Sequence, residues 1–235
     1  MTAGPTPSDA AADVALDAVR LAVADLDAAV AAYATLLGQG PVARAAARRF
    51  QLGRGAVVLV TGPPGLHSIR FTAGRPAVLP AAAHGIPLAV DPAPATPWPA
   101  DPAAPVEAID HVVVQTPDPE RAIALWRDDI GLRLALDRTF EARGLRLLFF
   151  RSAGVTLEYA AVHPATGDRD GPDAFHGLSY RVRDLSAHRV RLLDAGFDVS
   201  EIRRGMRPGT SVATVRSRTA GVPTLLLQLD QPVAG

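Results

Sequence analysis

The 235-residue sequence contains no cysteine and no lysine. The first absence excludes disulfides, thiolate nucleophiles and cysteine metal ligands, and makes a cytoplasmic location the expectation. The second leaves arginine as the source of every fixed side-chain cation. With abundant alanine, proline and glycine, this reads as a compositional bias, so an arginine here does not by itself signal a need for its planar fork. A charge of one sign is lacking too. The 24 basic and 24 acidic residues cancel, and no global field draws the chain to nucleic acid or an anionic membrane. No apolar run approaches the ~20 residues of a membrane helix. The N-terminus, MTAGPTPSDAAADVALD, lacks the basic start and apolar core of a secretion signal. There is neither a phosphate-cradling glycine loop nor a serine or cysteine nucleophile motif. What is present is ordinary for a globular chain: 48% hydrophobic and 20% charged residues, enough for a sizeable core in one large or two small domains.

The most informative stretch runs from Ile109 to Gly131, IDHVVVQTPDPERAIALWRDDIG. Its first half alternates, with Asp110, Val112 and Val114 on one face of a strand and His111, Val113 and Gln115 on the other. Thr116-Pro117-Asp118-Pro119 then breaks the strand. Asp118 suits an N-cap, and Pro119 suits the first helical position, where no amide hydrogen is needed. Ala122, Ile123, Trp126 and Ile130 recur at helical spacing, and Gly131 ends the helix. Residues 17–38 align with 110–131 without a gap, pairing Asp17 with Asp110, Asp25 with Asp118, Tyr33 with Trp126 and Gly38 with Gly131. Ala18 stands where His111 stands. This offset suggests an internal duplication.

The chain divides accordingly. Residues 1–14 read as a disordered lead. Residues 15–90 read as a first domain of strand–helix–strands character, worn down around 73–85, where Pro76 and Pro80 argue against a second long helix. Residues 91–107 are a proline-rich, extended linker in which Trp98 is available to pin it to a domain. Residues 108–231 form a better-defined second domain. In it, strands are expected over 132–139, 145–151, 155–162, 177–183, 199–203, 210–217 and 223–229. A helix with Val190, Leu193 and Phe197 inward ends near Gly196. LHSIRF at the start of the second unit matches FHGLSY at the start of the fourth.

Three segments, IDHVVVQTPDPERAIALWRDDIGL, GVTLEYAAV and GLSYRVRDLSAHRVRLLDAGFDV, resemble the vicinal oxygen chelate superfamily, which includes glyoxalase I, extradiol dioxygenases and the bleomycin- and fosfomycin-resistance proteins. The resemblance runs from about Ala18 to Leu229. It implies an α+β fold of paired βαβββ units forming cup-shaped mixed sheets with helices outside, as two domains in tandem. It also implies a divalent metal (Zn, Fe, Mn or Ni), often held in the cup by one residue from the first and last strand of each unit. His111 stands at the first ligand position and Glu158 at the second. Gly177 stands at the third, and the fourth, near Leu225 or Leu226, is apolar. In the N-terminal half, Ala18 and Leu59 take the first two places, so no metal is expected there.

His111 and Glu158 are thus the candidate catalytic residues and the candidate metal ligands. An imidazole plus a carboxylate suits several divalent ions and leaves positions open for a substrate with neighbouring oxygens. Without a metal, the pair can serve as base and acid. The structural alternative is a polar pair left from a metal-binding ancestor. Against it stands the cost of placing a carboxylate in an otherwise apolar strand without purpose. Val113, Gln115, Thr156, Ser179 and Leu226 are expected to line the site. His176 faces the helix side by parity, although a bulge at the strand entrance would turn it inward. His84, His163 and His188 read as solvated. Arg207, in the basic loop Arg203-Arg204-Gly-Met-Arg207, is placed to meet an anionic ligand; the alternative is a solvated hairpin. Two functions remain open at this point. One is an enzyme of lyase, isomerase or dioxygenase type, with or without a metal. The other is a metal-free small-molecule binder of the drug-sequestering type. A small molecule is the expected partner, a homodimer is left open, and neither nucleic acid nor membrane is expected.

Overall fold

In a computed structural model of the chain, residues 14–44, 47–73, 82–92 and 99–230 are described. The lead up to residue 13, the eroded stretch 74–81 and the linker residues 93–98, Trp98 included, lie outside them. Val14, the last residue assigned to the lead, is buried, and its carbonyl accepts a hydrogen bond from Ser152 Oγ at 3.0 Å.

Strand β1 (Ala15–Val23) leads into helix α1 (Leu26–Leu37), followed by β2 (Val42–Arg44), β3 (Ala47–Gln51) and β4 (Ala56–Thr61). Then come β5 (Gly65–Ala73), the two-residue β6 (Ala82–Ala83) and β7 (Ile86–Pro92). These strands make a seven-stranded sheet in the order β2-β3-β4-β1-β5-β7-β6. The second half gives β8 (Val106–Gln115), α2 (Pro119–Ile123), β9 (Arg133–Phe140), β10 (Leu145–Ser152) and β11 (Val155–Val162). It closes with β12 (Ala174–Val182), α3 (Leu185–Asp194), β13 (Arg203–Arg204), β14 (Thr210–Val215) and β15 (Thr224–Leu229). These make an eight-stranded sheet in the order β13-β14-β15-β12-β8-β11-β10-β9. Both sheets are mixed: β1 with β4 and β8 with β11 run parallel, while β3 with β4 and β10 with β11 run antiparallel. The fold is therefore α+β, two mixed sheets in tandem along the chain.

Three helices start the same way, for one physical reason. Asp25, Asp118 and Asp184 each sit in extended backbone and accept a hydrogen bond from a first-turn amide, of Ala28, Glu120 and Ala187 respectively. Each thereby satisfies an amide that has no carbonyl partner inside its helix. At the far end of α1, Gly38 takes φ 71°, and its N–H closes on Ala34 O at 2.9 Å. Past Pro119–Ile123 the second helix continues as a π-helix over Ala124–Asp129, with Ile130 N donating to Leu125 O. The spacing of Ala122, Ile123 and Trp126 still buries them, so the apolar stripe survives the change of hydrogen-bond pattern.

Close contacts gather the chain into two compact units, one of Met1–Ala18, Ser68–Pro97 and His111–His176, the other of Val19–His67, Trp98–Asp110 and Gly177–Gly235. In the first, Trp126 stacks obliquely on Phe71 and on Tyr159, with ring centres 5.6 and 6.2 Å apart, and donates Nε1–H to Tyr159 Oη at 2.7 Å. Burial pushes the Tyr159 phenol up, so it stays protonated and able to accept that bond. The second unit packs Tyr33, Leu36, Leu37, Phe50, Tyr180, Leu192 and Leu226, all essentially without exposure. Tyr33, the counterpart of Trp126, also finds a partner for its polar tip, Thr219 O at 3.1 Å.

Four expectations need correction. Helix α3 buries Leu185, His188 and Leu192, while Val190 and Leu193 are 55% and 39% exposed. His188 is therefore not solvated. It lies 2% exposed with Nε2 3.0 Å from Leu36 O and Nδ1 3.2 Å from Arg191 Nη2. Residues 199–203 do not form a strand; Val199 makes one bridge to Val215, and β13 holds two residues. Residues 106 and 107 belong to β8 rather than to the linker.

Candidate functional site

The site is best drawn as a grid, because residues paired across a ladder share a face. From the pairings of β10, β11 and β8, the first row is Arg151, Thr156 and His111. The second is Phe149, Glu158 and Val113, and the third is Leu147, Ala160 and Gln115. Columns are about 4.8 Å apart and rows about 6.7 Å, the strand spacing and a two-residue rise. On the opposite face Val112, Val114, Leu148, Phe150, Leu157 and Tyr159 are fully buried. The sheet thus turns these apolar residues to the core, and Arg151, Glu158 and His111 lie on its other side.

His111 and Glu158 occupy neighbouring strands and adjacent rows. Their Nε2 and Oε2 atoms are 3.9 Å apart, with side chains 17% and 22% exposed. That distance exceeds a hydrogen bond and leaves both atoms within reach of one small group placed between them. Val113 and Gln115 share their face, Gln115 exposed. Thr156 is buried beside His111 in the first row and accepts a hydrogen bond from Arg151 Nη1 at 2.5 Å.

The remaining predicted residues lie on β12, on β15 and on the turn before β14. Ser179 is in register with Leu225, and Leu226 with Tyr180. Leu226 is fully buried and Leu225 is not, so the strand turns Leu225, rather than Leu226, away from the core. Ser179 is fully buried as well, its hydroxyl without a hydrogen-bond partner. His176 is exposed near the start of β12, and Arg207 is exposed on the turn between β13 and β14. In the N-terminal half, the register pairs Leu21 with Leu59 as Val114 pairs with Tyr159, so the counterpart of Glu158 is Val58 and not Leu59.

Sequence reasoning missed Arg151. The alternation that put Glu158 on the open face puts Arg151 there too, once β10 and β11 are paired. In a chain where every cation is arginine, that signal did not stand out.

Of the four ligand positions the resemblance implies, two carry donors. The third, Gly177, is closed by packing: a Cβ there would lie 2.7 Å from Pro223 O, whose oxygen already accepts from Leu178 N. The fourth, Leu225, is apolar. Among the described residues, no group of three His, Cys, Asp or Glu side chains gathers. A catalytic divalent ion ordinarily takes three protein ligands, so the residues present do not complete such a site.

Residues 110–214 match the Glyoxalase/Bleomycin resistance protein/Dioxygenase superfamily. That stretch belongs to this superfamily. Among solved structures, a mutant of 4-hydroxymandelate synthase from Streptomyces coelicolor is similar over 95% of this chain and 94% of its own, with 14% identity and a TM-score of 0.65. Methylmalonyl-CoA epimerase from Mycobacterium tuberculosis is similar over 55% of this chain and 91% of its own, with 21% identity and a TM-score of 0.44. At 14% identity the likeness to the synthase is one of fold alone. No curated protein matches the sequence. No helix among the described residues is long and apolar enough to cross a membrane.

Proposed function

We propose that the face carrying His111 and Glu158 binds a small oxygen-bearing molecule and moves a proton on it. The reaction is then of isomerase or lyase type. The observation that supports this most is the approach of His111 Nε2 and Glu158 Oε2 to 3.9 Å on the open side of the sheet. A substrate C–H next to a carbonyl meets the Glu158 carboxylate. The C–H bond breaks, its electron pair moves onto the carbonyl oxygen as an enolate, and the proton goes to Glu158. His111 donates a hydrogen bond to that oxygen as its charge grows. Return of the proton to a different carbon, or to the other side of the same carbon, completes an isomerisation. Departure of a β-substituent instead completes an elimination.

Two further readings have specific support. Donors missing at Gly177 and Leu225 favour a metal-free binding protein that sequesters its ligand without turnover. The donor pair itself favours a weakly held divalent ion on His111 and Glu158. One experiment sorts all three. The untagged chain is analysed for metals and assayed in D₂O for exchange of acidic C–H protons in small carbonyl compounds, alongside His111→Ala and Glu158→Gln. Exchange lost in both variants, without bound metal, supports proton transfer. Binding without exchange supports sequestration. Stoichiometric metal that His111→Ala loses would replace the proposal with the metal reading.

A further inference from the structure

We infer that the molecule handled at this face is a small carboxylate-bearing anion and that Arg151 selects it. This rests on the proton-transfer reading of His111 and Glu158 and adds the class of substrate. The first row of the grid sets Arg151, Thr156 and His111 side by side on three adjacent strands. Arg151 and His111 are two strand spacings apart, about 9–10 Å between backbones. The Arg151 side chain does not extend away from the pair. It leans inward, because its Nη1 donates to Thr156 Oγ1 in the column between them. The guanidinium is thereby fixed over the neighbour of His111, which spares a ligand part of the cost of ordering it.

Strand β9 adds to the same face. Arg133 pairs with Arg151, Leu136 with Phe149 and Arg138 with Leu147. Across β9, β10 and β11 this face carries three arginines and the Glu158 carboxylate. The chain as a whole is neutral. A local positive field on a neutral protein draws in anions without binding them everywhere. One guanidinium fork fits one planar carboxylate through two parallel hydrogen bonds. With the carboxylate on Arg151, a carbon one or two bonds further along reaches the space between His111 and Glu158. Phe149, beside Glu158 in the second row, offers an apolar floor there. Arg151 is thus a specificity residue, and the proton still passes between the substrate carbon and Glu158.

Two probes isolate the charge. Monoethyl malonate and diethyl malonate share an acidic methylene, and they differ by one carboxylate. Both are titrated into the full chain at one ionic strength, and methylene exchange is followed in D₂O by proton NMR. The wild type is expected to bind the monoester about tenfold more tightly than the diester, a difference of about 1.4 kcal/mol. In Arg151→Met that preference collapses to about twofold or less, and in Arg151→Lys it is partly restored, because charge returns without the fork. Thermal melts establish that each variant is folded. No preference in the wild type, no binding of the monoester at millimolar concentration, or a preference that survives in Arg151→Met each overturns the inference. The two readings fail separately. If exchange is abolished by Glu158→Gln while Arg151→Met keeps the preference, proton transfer stands and the anion proposal falls. If Arg151-dependent preference is seen without exchange, the anion site stands and the proton-transfer reading falls.

Discussion

The two sheets repeat one plan with different residues on the same squares. In the eight-stranded sheet, the row through Glu158 reads Phe149, Glu158, Val113. In the seven-stranded sheet, the equivalent row reads Arg49, Val58, Arg20. One row sets a carboxylate between apolar neighbours, and the other sets an apolar residue between two cations. The position of His111 is taken by Ala18, which is 1% exposed. Since the Asp25 and Asp118 caps and the β1–β4 and β8–β11 ladders agree between halves, the backbone plan does not demand the polar pair. Whatever keeps His111 and Glu158 in one half is separable from folding.

The largest effect should follow from removing that pair. His111→Ala and Glu158→Gln should each lower turnover by about 10²- to 10⁴-fold, the usual contribution of a positioned acid or base. The melting temperature should move by no more than a few degrees, about 1 kcal/mol, since both side chains are partly exposed. Steady-state kinetics and a thermal melt on the same preparation check this. A large loss of stability with turnover intact would make the pair structural and bring the two halves back to equivalence.

A second contrast lies between helices. Four residues past the capping aspartate, α2 has Ala122 and α3 has His188, both buried. Burial pushes the His188 imidazole down to about 4, the Arg191 charge acts in the same direction, and the bond to Leu36 O opposes both. The unfolded chain takes up a proton near pH 6.5 and the folded chain does so only near pH 4. Stability from this residue is therefore complete above pH 6.5 and is lost as pH falls toward 4. The loss should be on the order of 3 kcal/mol. Urea melts at several pH values should show it, and His188→Leu should flatten the slope in that window. An unchanged slope would mean that the ring charges in place.

Much of the second half was legible because local signals agreed. Alternation in β8, the Asp118 cap, Pro119 and the closing glycine all pointed to one strand and one helix, and the 93-residue offset from Asp17 to Asp110 repeated them. His188 was illegible for the opposite reason. Hydrophobicity drew the inward stripe through Val190 and Leu193, but the actual stripe passes through a histidine whose two nitrogens are satisfied by Leu36 O and Arg191. Register errors had another source. A one-residue slip exchanges the faces of a strand. Leu225 and Leu226, or Val58 and Leu59, cannot be told apart by apolar character alone. Gly177 shows a limit of motif reasoning: a missing ligand reads as erosion in the sequence, whereas Pro223 O leaves no room for a side chain there.

Making the halves more alike should cost less than these effects and return nothing. Ala18→His restores the histidine of β8 at its counterpart in β1. The site is closed, so the larger side chain should destabilise the protein by about 1–3 kcal/mol through overpacking. Activity at the other sheet should remain, and no second activity should appear, because Val58 offers no carboxylate. A stable variant with doubled turnover would show that the first half retains an open site.

The smallest effect is expected at Arg207. It lies on the turn before β14, exposed on both sides of the peptide run Met206-Arg207-Pro208. Its backbone carbonyl is the structural part, accepting from Thr210 Oγ1 at 2.5 Å, and Gly209 completes the turn at φ 71°. Arg207→Ala leaves both in place and removes one solvated charge. Interactions of exposed charges are screened and are commonly worth less than 1 kcal/mol. Ligand affinity should therefore change by less than tenfold, under about 1.4 kcal/mol. Arg151 makes the contrast within one assay, since its guanidinium is partly buried and held by Thr156. If Arg207→Ala weakens the binding of monoethyl malonate as much as Arg151→Met does, the hairpin closes on the anion, and selection of the carboxylate is shared rather than seated in the first row of the grid.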